Sequence, residues 1–321
     1  MTDSPDSEDS EALAGWRLVV DPGADGMRLD CFVALRVRRL SRARAARLVV
    51  VDLDDPKRHM KKASAVHAGQ RLWVRRPLPD AGARPPLPTV LHTDADLLVL
   101  DKPAGLAIHP TASRFVATVT HWLQAMTPDG AAVPRPGHRL DVETSGLLIC
   151  AQHALADRQL KAAFAEDGGV LKTYRAVVEG LPPRDKWMET AALGFVSEGL
   201  GSESAVRLKM GPGVLPAATA FQVLARGRQR ALVEARPRTG RQHQIRVHLA
   251  MAGFPIVGDK LYGPDEGLFL ASLDRELDAD ELAILGSPRH ALHAWRLEVT
   301  WRGERRHFEA PWPDDLQALL T

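Results

Sequence analysis

Five prolines (Pro77, Pro79, Pro85, Pro86 and Pro88) fall within the stretch Pro77–Pro88, and no other feature constrains the fold as strongly. Each proline fixes φ and removes a backbone donor, so neither a helix interior nor a central strand can run through the stretch. It reads as a semi-rigid linker over 77–88. The chain of 321 residues is thereby divided into a small unit at 21–76 and a large one at 89–321. Ahead of both, residues 1–14 are polar, acidic and free of aromatics, and a disordered tail is expected, with its boundary set at residue 20.

The small unit is helical at its start. Leu29, Phe32, Val33, Val37 and Leu40 recur at helical spacing. Ser41 is placed to cap a second helix over Arg42–Val50, whose arginines must face solvent. Ala68-Gly69-Gln70 signals a turn into a short strand, Arg71–Arg75. Total charge is nearly balanced, 42 basic against 40 acidic residues, but residues 36–76 hold thirteen basic residues against three acidic ones, a local net of +10. Such a local excess is the footprint of a nucleic-acid contact, or else a solvated basic face.

In the large unit, Asp96–Asp101, Gly146–Ala151 and Lys172–Gly180 read as strands, and Ala154–Glu166 as a helix ending at Gly168-Gly169. Trp295, Leu297, Val299 and Trp301 alternate with polar residues, the pattern of a half-buried strand in antiparallel sheet. Strands follow one another without a regular βαβ rhythm, so the fold class is α+β with a mixed, largely antiparallel sheet flanked by helices and loops. Residues 264–289 read as a polar insertion.

Cys31 and Cys150 fit neither a zinc spacing nor a disulfide framework, and a reducing cytoplasm is the expected location. The acidic start is unlike a signal peptide, and no apolar run approaches the ~20 residues needed to span a bilayer. No membrane partner is expected, and the protein is expected to be a monomer.

Three polar clusters interrupt apolar elements. Pro136-Gly137-His138-Arg139-Leu140-Asp141 leads into the strand Gly146–Ala151 and places a carboxylate at its mouth. Asp141 there suits a nucleophile or base, and equally an Asp closing an Asx turn. Lys172-Thr173-Tyr174 offers either a core tyrosine or a flat face on which a nucleobase can stack. In Arg236–Leu249, Arg241, Ile245, His248 and Leu249 share one helical face, and His243 and Arg246 another. So many guanidinium and imidazole groups suggest an anion site or a partner for a buried carboxylate.

These segments also resemble the motifs of RluA-type pseudouridine synthases. HRLDVETSGLLICA matches the family signature, LDKPAGLAIHP its upstream segment, and KTYRAVVEG and PRTGRQHQIRVHLA the two that follow. GDKLYG and RHALHAWRLEV close the series in the family's order, from about residue 89 to about 313. Residues 28–76 resemble the S4 RNA-binding domain that many members carry, although a glycine expected near Val51 is missing.

The resemblance implies the pseudouridine synthase fold with a small α/β S4-like domain in front. It also implies isomerisation of uridine to pseudouridine without cofactor or metal. Asp141 would be the nucleophile, Arg246 its ion-pair partner, Tyr174 the stacking face and Ile245 the opposite wall, with Lys172 among the base-binding residues. Arg139 would fill the stack left by the flipped uridine, and Arg42, Arg44 and Arg47 would contact phosphates. Large-subunit ribosomal RNA is favoured over tRNA because members acting on tRNA often lack the S4-like domain. Two other readings stay open. A metal-dependent hydrolase would need converging ligands, whereas His243 and His248 are spaced to diverge on a helix, and His290 and His293 would point to opposite faces of a strand. A non-catalytic ribosome-assembly factor would not need Asp141, Tyr174 and Arg246 together.

Overall fold

The structure, a computed structural model, describes residues 16–37, 42–46, 48–55, 58, 60–75, 86–110, 118–196 and 209–320. The chain divides into two compact units, Met1–Arg84 and Pro85–Thr321.

In the first unit, strands β1 (Trp16–Val19), β2 (Val49–Asp52) and β3 (Arg71–Arg75) form an antiparallel sheet in the order β1-β3-β2. Leu72 and Val74 alternate inward from β3 and meet Phe32 and Val33 of helix α1 (Leu29–Arg36) in one core. Two expectations need correction. The tail set at 1–20 ends sooner, because Trp16–Val19 pair with β3 and Val20 is buried. The helix expected over Arg42–Val50 stops early. Helix α2 spans Arg42–Ala45, and the β-branched run Val49-Val50-Val51 pairs with β3 instead. Leu40, the expected cap Ser41 and most of the proline-rich stretch lie outside the described residues.

The second unit is built on a ten-stranded mixed sheet. Strand β4 (Thr89–Thr93) pairs with β5 (Leu97–Lys102), and β5 with β7 (Ser145–Ala151), both antiparallel. The two-residue β6 (Arg135–Pro136) also pairs with β7. All seven residues of β7 are buried, as a strand covered on both faces must be. Beyond it come β14 (Leu292–Trp301), β8 (Val170–Glu179), β13 (Arg230–Pro237), β12 (Thr219–Arg226) and β9 (Lys186–Glu189), with β15 (Glu304–Glu309) against the far half of β14. Strands β10 (Leu193–Phe195) and β11 (Met210–Pro212) form a separate pair.

Strands β7 and β14 run parallel and touch over just two pairs, His293 with Ser145 and Ala294 with Gly146. Gly146 has φ +105°, and a Cβ there would lie 2.3 Å from the Ala294 carbonyl oxygen. Glycine is therefore required where these strands close, just past the Asp141 turn. Helix α4 (Ala154–Ala165) covers one core with Leu97, Leu147 and Leu297. The other core holds Leu123 of helix α3 (Val119–Met126) and Ile245 and Leu249 of helix α5 (Gln244–Met251), packed on β7, β8 and β13. The expected polar insertion at 264–289 contains two helices, α6 (Glu266–Asp274) and α7 (Ala279–Leu285). A capping box of Asp278 and Glu281 starts α7. Among the described residues no helix is long and apolar enough to cross a membrane.

Candidate active site

Asp141 sits in the turn that feeds β7. Its backbone carbonyl closes that turn by accepting from Thr144 N at 3.1 Å, so the carboxylate is left for other partners. Behind the turn, the buried Lys102 ammonium donates to the carbonyls of Pro103, Leu106 and Val142 at 2.8, 2.9 and 3.1 Å. Gly105 N also donates to Val142 O at 2.8 Å, so the LDKPAG segment fixes the residue next to Asp141. On the other side, Glu143 accepts from Lys260 Nζ at 2.7 Å and from His290 N at 3.0 Å. The Thr144 and Ser145 hydroxyls lie 2.8 and 2.9 Å from ring nitrogens of His290 and His293.

The carboxylate itself meets α5. Arg246 Nη1 donates to Asp141 Oδ2 at 2.9 Å, and its other edge donates to Asp259, Nε to Oδ2 at 2.7 Å and Nη2 to Oδ1 at 2.8 Å. Asp259 also accepts from the amides of Leu261 and Tyr262. The Tyr262 ring lies 5.0 Å from the guanidinium carbon. Burial pushes the Asp141 carboxyl up, but nearby His243, Arg246 and His290 together hold it at about 2. The two imidazoles have pKa values lowered by burial to about 4, so near neutral pH the permanent positive charge is Arg246. Asp141 is therefore ionised despite its burial.

Tyr174 faces the same space. It pairs with Ala235 on β13 and Ala294 on β14, so small neighbours flank the ring on both sides. Burial, and then the Asp141 charge, raise its hydroxyl pKa and keep it protonated. Ile245 is buried beside it in the core, and Lys172, two residues before Tyr174, is half-buried with its pKa lowered by burial. Arg139 is exposed next to Asp141. Asp141, Arg246, Tyr174, Ile245, Lys172 and Arg139 line one groove of about 1230 Å³, together with the exposed Arg236, Arg238 and Arg241. Basic side chains thus outnumber acidic ones along this groove, as they do over residues 36–76.

Other expectations are redistributed. His248 does not face the groove: it is buried, 2.9 Å from the Thr219 hydroxyl and 3.1 Å from Ala191 O. Arg241 precedes α5, and its amide donates to Gln244 Oε1 at 3.0 Å. In the first unit, Arg42 lies on α2 and donates to the buried Asp30 at 3.2 Å. Arg44 lies on the same helix, and Arg47 falls outside the described residues. Sequence reasoning picks out GDKLYG but gives its Asp259 and Tyr262 no role, and weighs His243 and His290 as metal ligands without linking them to Asp141. A signal for Asp259 exists, since a guanidinium has two donor edges and one carboxylate occupies only one.

The family model for RNA pseudouridylate synthase matches residues 96–251. The chain is 35% identical over 311 residues to the protein named ribosomal large subunit pseudouridine synthase D in Neisseria meningitidis serogroup A, covering 92% of this chain and 78% of that one. It is 35% identical over 326 residues to an uncharacterized RNA pseudouridine synthase of Chloroflexus aurantiacus, covering 94% and 92%. Among solved structures, human RNA pseudouridylate synthase domain containing 1 matches with a TM-score of 0.57 at 25% identity, over 73% of this chain and 88% of that one. Fold, motif order and sequence identity agree, and the chain belongs to the RluA-type family of RNA pseudouridine synthases.

Proposed function

We propose that this enzyme converts uridines of large-subunit ribosomal RNA to pseudouridine with Asp141 as its nucleophile. The observation that carries the role is the division of labour between the two carboxylate oxygens. Oδ2 is held by Arg246 at 2.9 Å, while Oδ1 stands 3.9 Å from His243 Nε2, outside hydrogen-bond range. One oxygen is fixed and the other is left to react.

The isomerisation breaks the N1–C1′ bond, forms C5–C1′, removes the C5 proton and returns a proton to N1. Atoms and electrons balance within the nucleotide. An ionised carboxylate serves attack at either the ribose or the pyrimidine ring. Tyr174 stacks on the uracil, Ile245 walls its other side and Lys172 contacts the nucleotide. Arg139, exposed beside Asp141, fills the gap left when the uridine leaves its helix, a step costing roughly a few kcal/mol. Arg42, Arg44 and Arg47 of the S4-like unit contact phosphates. The ribosomal target is supported by the name of the Neisseria relative and by the basic first unit.

The test is pseudouridine mapping of ribosomal RNA and tRNA in a strain lacking the gene, complemented with wild type or Asp141→Asn. Loss of a large-subunit pseudouridine, restored by wild type alone, is expected. Loss confined to tRNA overturns the ribosomal reading, and restoration by Asp141→Asn overturns the nucleophile.

A further inference from the structure

His243 has a left-handed backbone, with φ +54° and ψ 15°, at the N-cap of α5, and its side chain makes no capping hydrogen bond there. A non-glycine residue in this region carries strain of the order of 1–3 kcal/mol, and such strain gathers at functional sites. What the imidazole does in this position is fixed by its neighbours. Tyr262 Oη accepts from the Met210 amide at 2.8 Å and lies 2.9 Å from His243 Nδ1. With the Met210 amide already donating to Oη, the arrangement that satisfies both groups has the hydroxyl donate its proton to Nδ1. With Nδ1 an acceptor, the neutral ring carries its proton on Nε2. That Nε2 is the atom 3.9 Å from Asp141 Oδ1, and His243 lines the groove.

We infer that His243 is a tautomerically locked, neutral hydrogen-bond donor, whose Nε2–H engages an oxygen of the target nucleotide as it lies against Asp141 Oδ1. The inference rests on the assignment of Asp141 as the reacting carboxylate. It does not use His243 as an acid or base. Burial first, and then Arg246, lower its pKa to about 4, while Asp141 and Asp259 pull the other way. Arg246, His290, Asp141, Asp259 and Tyr262 are the charged and titratable groups around it. A neutral imidazole donates without releasing its proton, and placed where charge develops it is worth more than a mobile water. The strained backbone gives the ring its aim, and Tyr262 sets which nitrogen is protonated.

Four variants separate this role from a structural one. His243→Gly relieves the strain and removes the donor. It should stay folded and bind RNA as tightly, yet lose about 10² in kcat, the effect of removing one preorganised donor. His243→Asn tolerates the backbone and restores an N–H, so it should recover part of that loss. Tyr262→Phe keeps the ring against Arg246 but frees the tautomer. Nitrogen-15 NMR of the imidazoles in the full-length enzyme should show His243 protonated at Nε2 alone at pH 7, and a mixture in Tyr262→Phe. Asp141→Asn should leave that tautomer unchanged. An active wild type with an equally active His243→Gly, or an Nδ1-protonated or charged ring at pH 7, overturns the inference. A full-length wild type that forms no pseudouridine in ribosomal RNA transcripts overturns the functional reading, and leaves the NMR result to stand by itself.

Discussion

Asp259 holds Arg246 by two parallel hydrogen bonds, 2.7 and 2.8 Å long, whereas Asp141 holds it by one of 2.9 Å. The guanidinium is thus oriented from behind by Asp259, and Asp141 receives an edge that is already placed. Both Asp259 and Arg246 are buried, and a buried charge without its partner costs about 3–5 kcal/mol. Asp259→Ala should therefore unfold at markedly lower temperature. Asp259→Asn keeps the shape and one acceptor, and should fold but let Arg246 rotate. Its single-turnover rate should fall about 10- to 100-fold with RNA affinity retained, as expected when a reacting group is slightly misplaced. Equal rates in wild type and Asp259→Asn would show that Asp141 needs no support from behind.

Three strands of the large sheet are legible where burial imposes a pattern, whereas β12 and β13 are not read as strands at all. Leu97–Leu100 and Leu147–Ala151 are continuous apolar stretches, and Trp295–Trp301 alternates, so each announces its environment. The partnership of Asp141 with Arg246, 105 residues apart, is legible through motif resemblance and charge balance, not through periodicity. The roles of Asp259 and His243 stay hidden because the segments before and after α5 carry them to the Asp141 turn, and no local spacing records that. Gly258, at φ +77° with Arg289 O 2.1 Å from where a Cβ would be, shows how tightly the Asp259 turn is placed. The start of α7 has a readable sign, Asp278 with Glu281 three residues on, which the acidity of the segment obscures.

Tyr174 offers its ring between two alanines, and its hydroxyl stays protonated throughout the physiological range. If stacking is its contribution, Tyr174→Phe retains most activity and Tyr174→Ala loses roughly 1–3 kcal/mol of base-stacking energy. Turnover measured on both variants decides this. Equal losses would assign the effect to the hydroxyl.

Lys61 and Lys62 are exposed in the first unit and carry part of its positive excess. If they meet phosphates, Lys61→Ala combined with Lys62→Ala weakens RNA binding at low salt. The double variant should also lower the slope of log Kd against log salt by about 0.7–0.9 for each phosphate that a lysine no longer neutralises. Binding curves over a salt series measure both effects together. An unchanged slope would take these lysines out of the RNA path.

Four largely buried histidines set the enzyme's acid limit. Burial lowers His138 to about 3, and His243, His290 and His293 to about 4, from an ordinary 6.5. Between pH 6.5 and about 4 the unfolded chain therefore binds protons that the native state refuses, and stability must fall as pH falls through that window. Asp141 adds a later loss. Its carboxyl is held at about 2 against an ordinary 3.8, so its stabilisation disappears as pH drops from 3.8 towards 2. The urea midpoint should be flat from pH 8 to 7, then decline steadily below 6.5, with the steepest slope near pH 5. His293→Gln removes one of the four titrating groups and should make that slope shallower by close to one proton. A midpoint that stays level from pH 6.5 to 4 would mean that these imidazoles are charged in the native state.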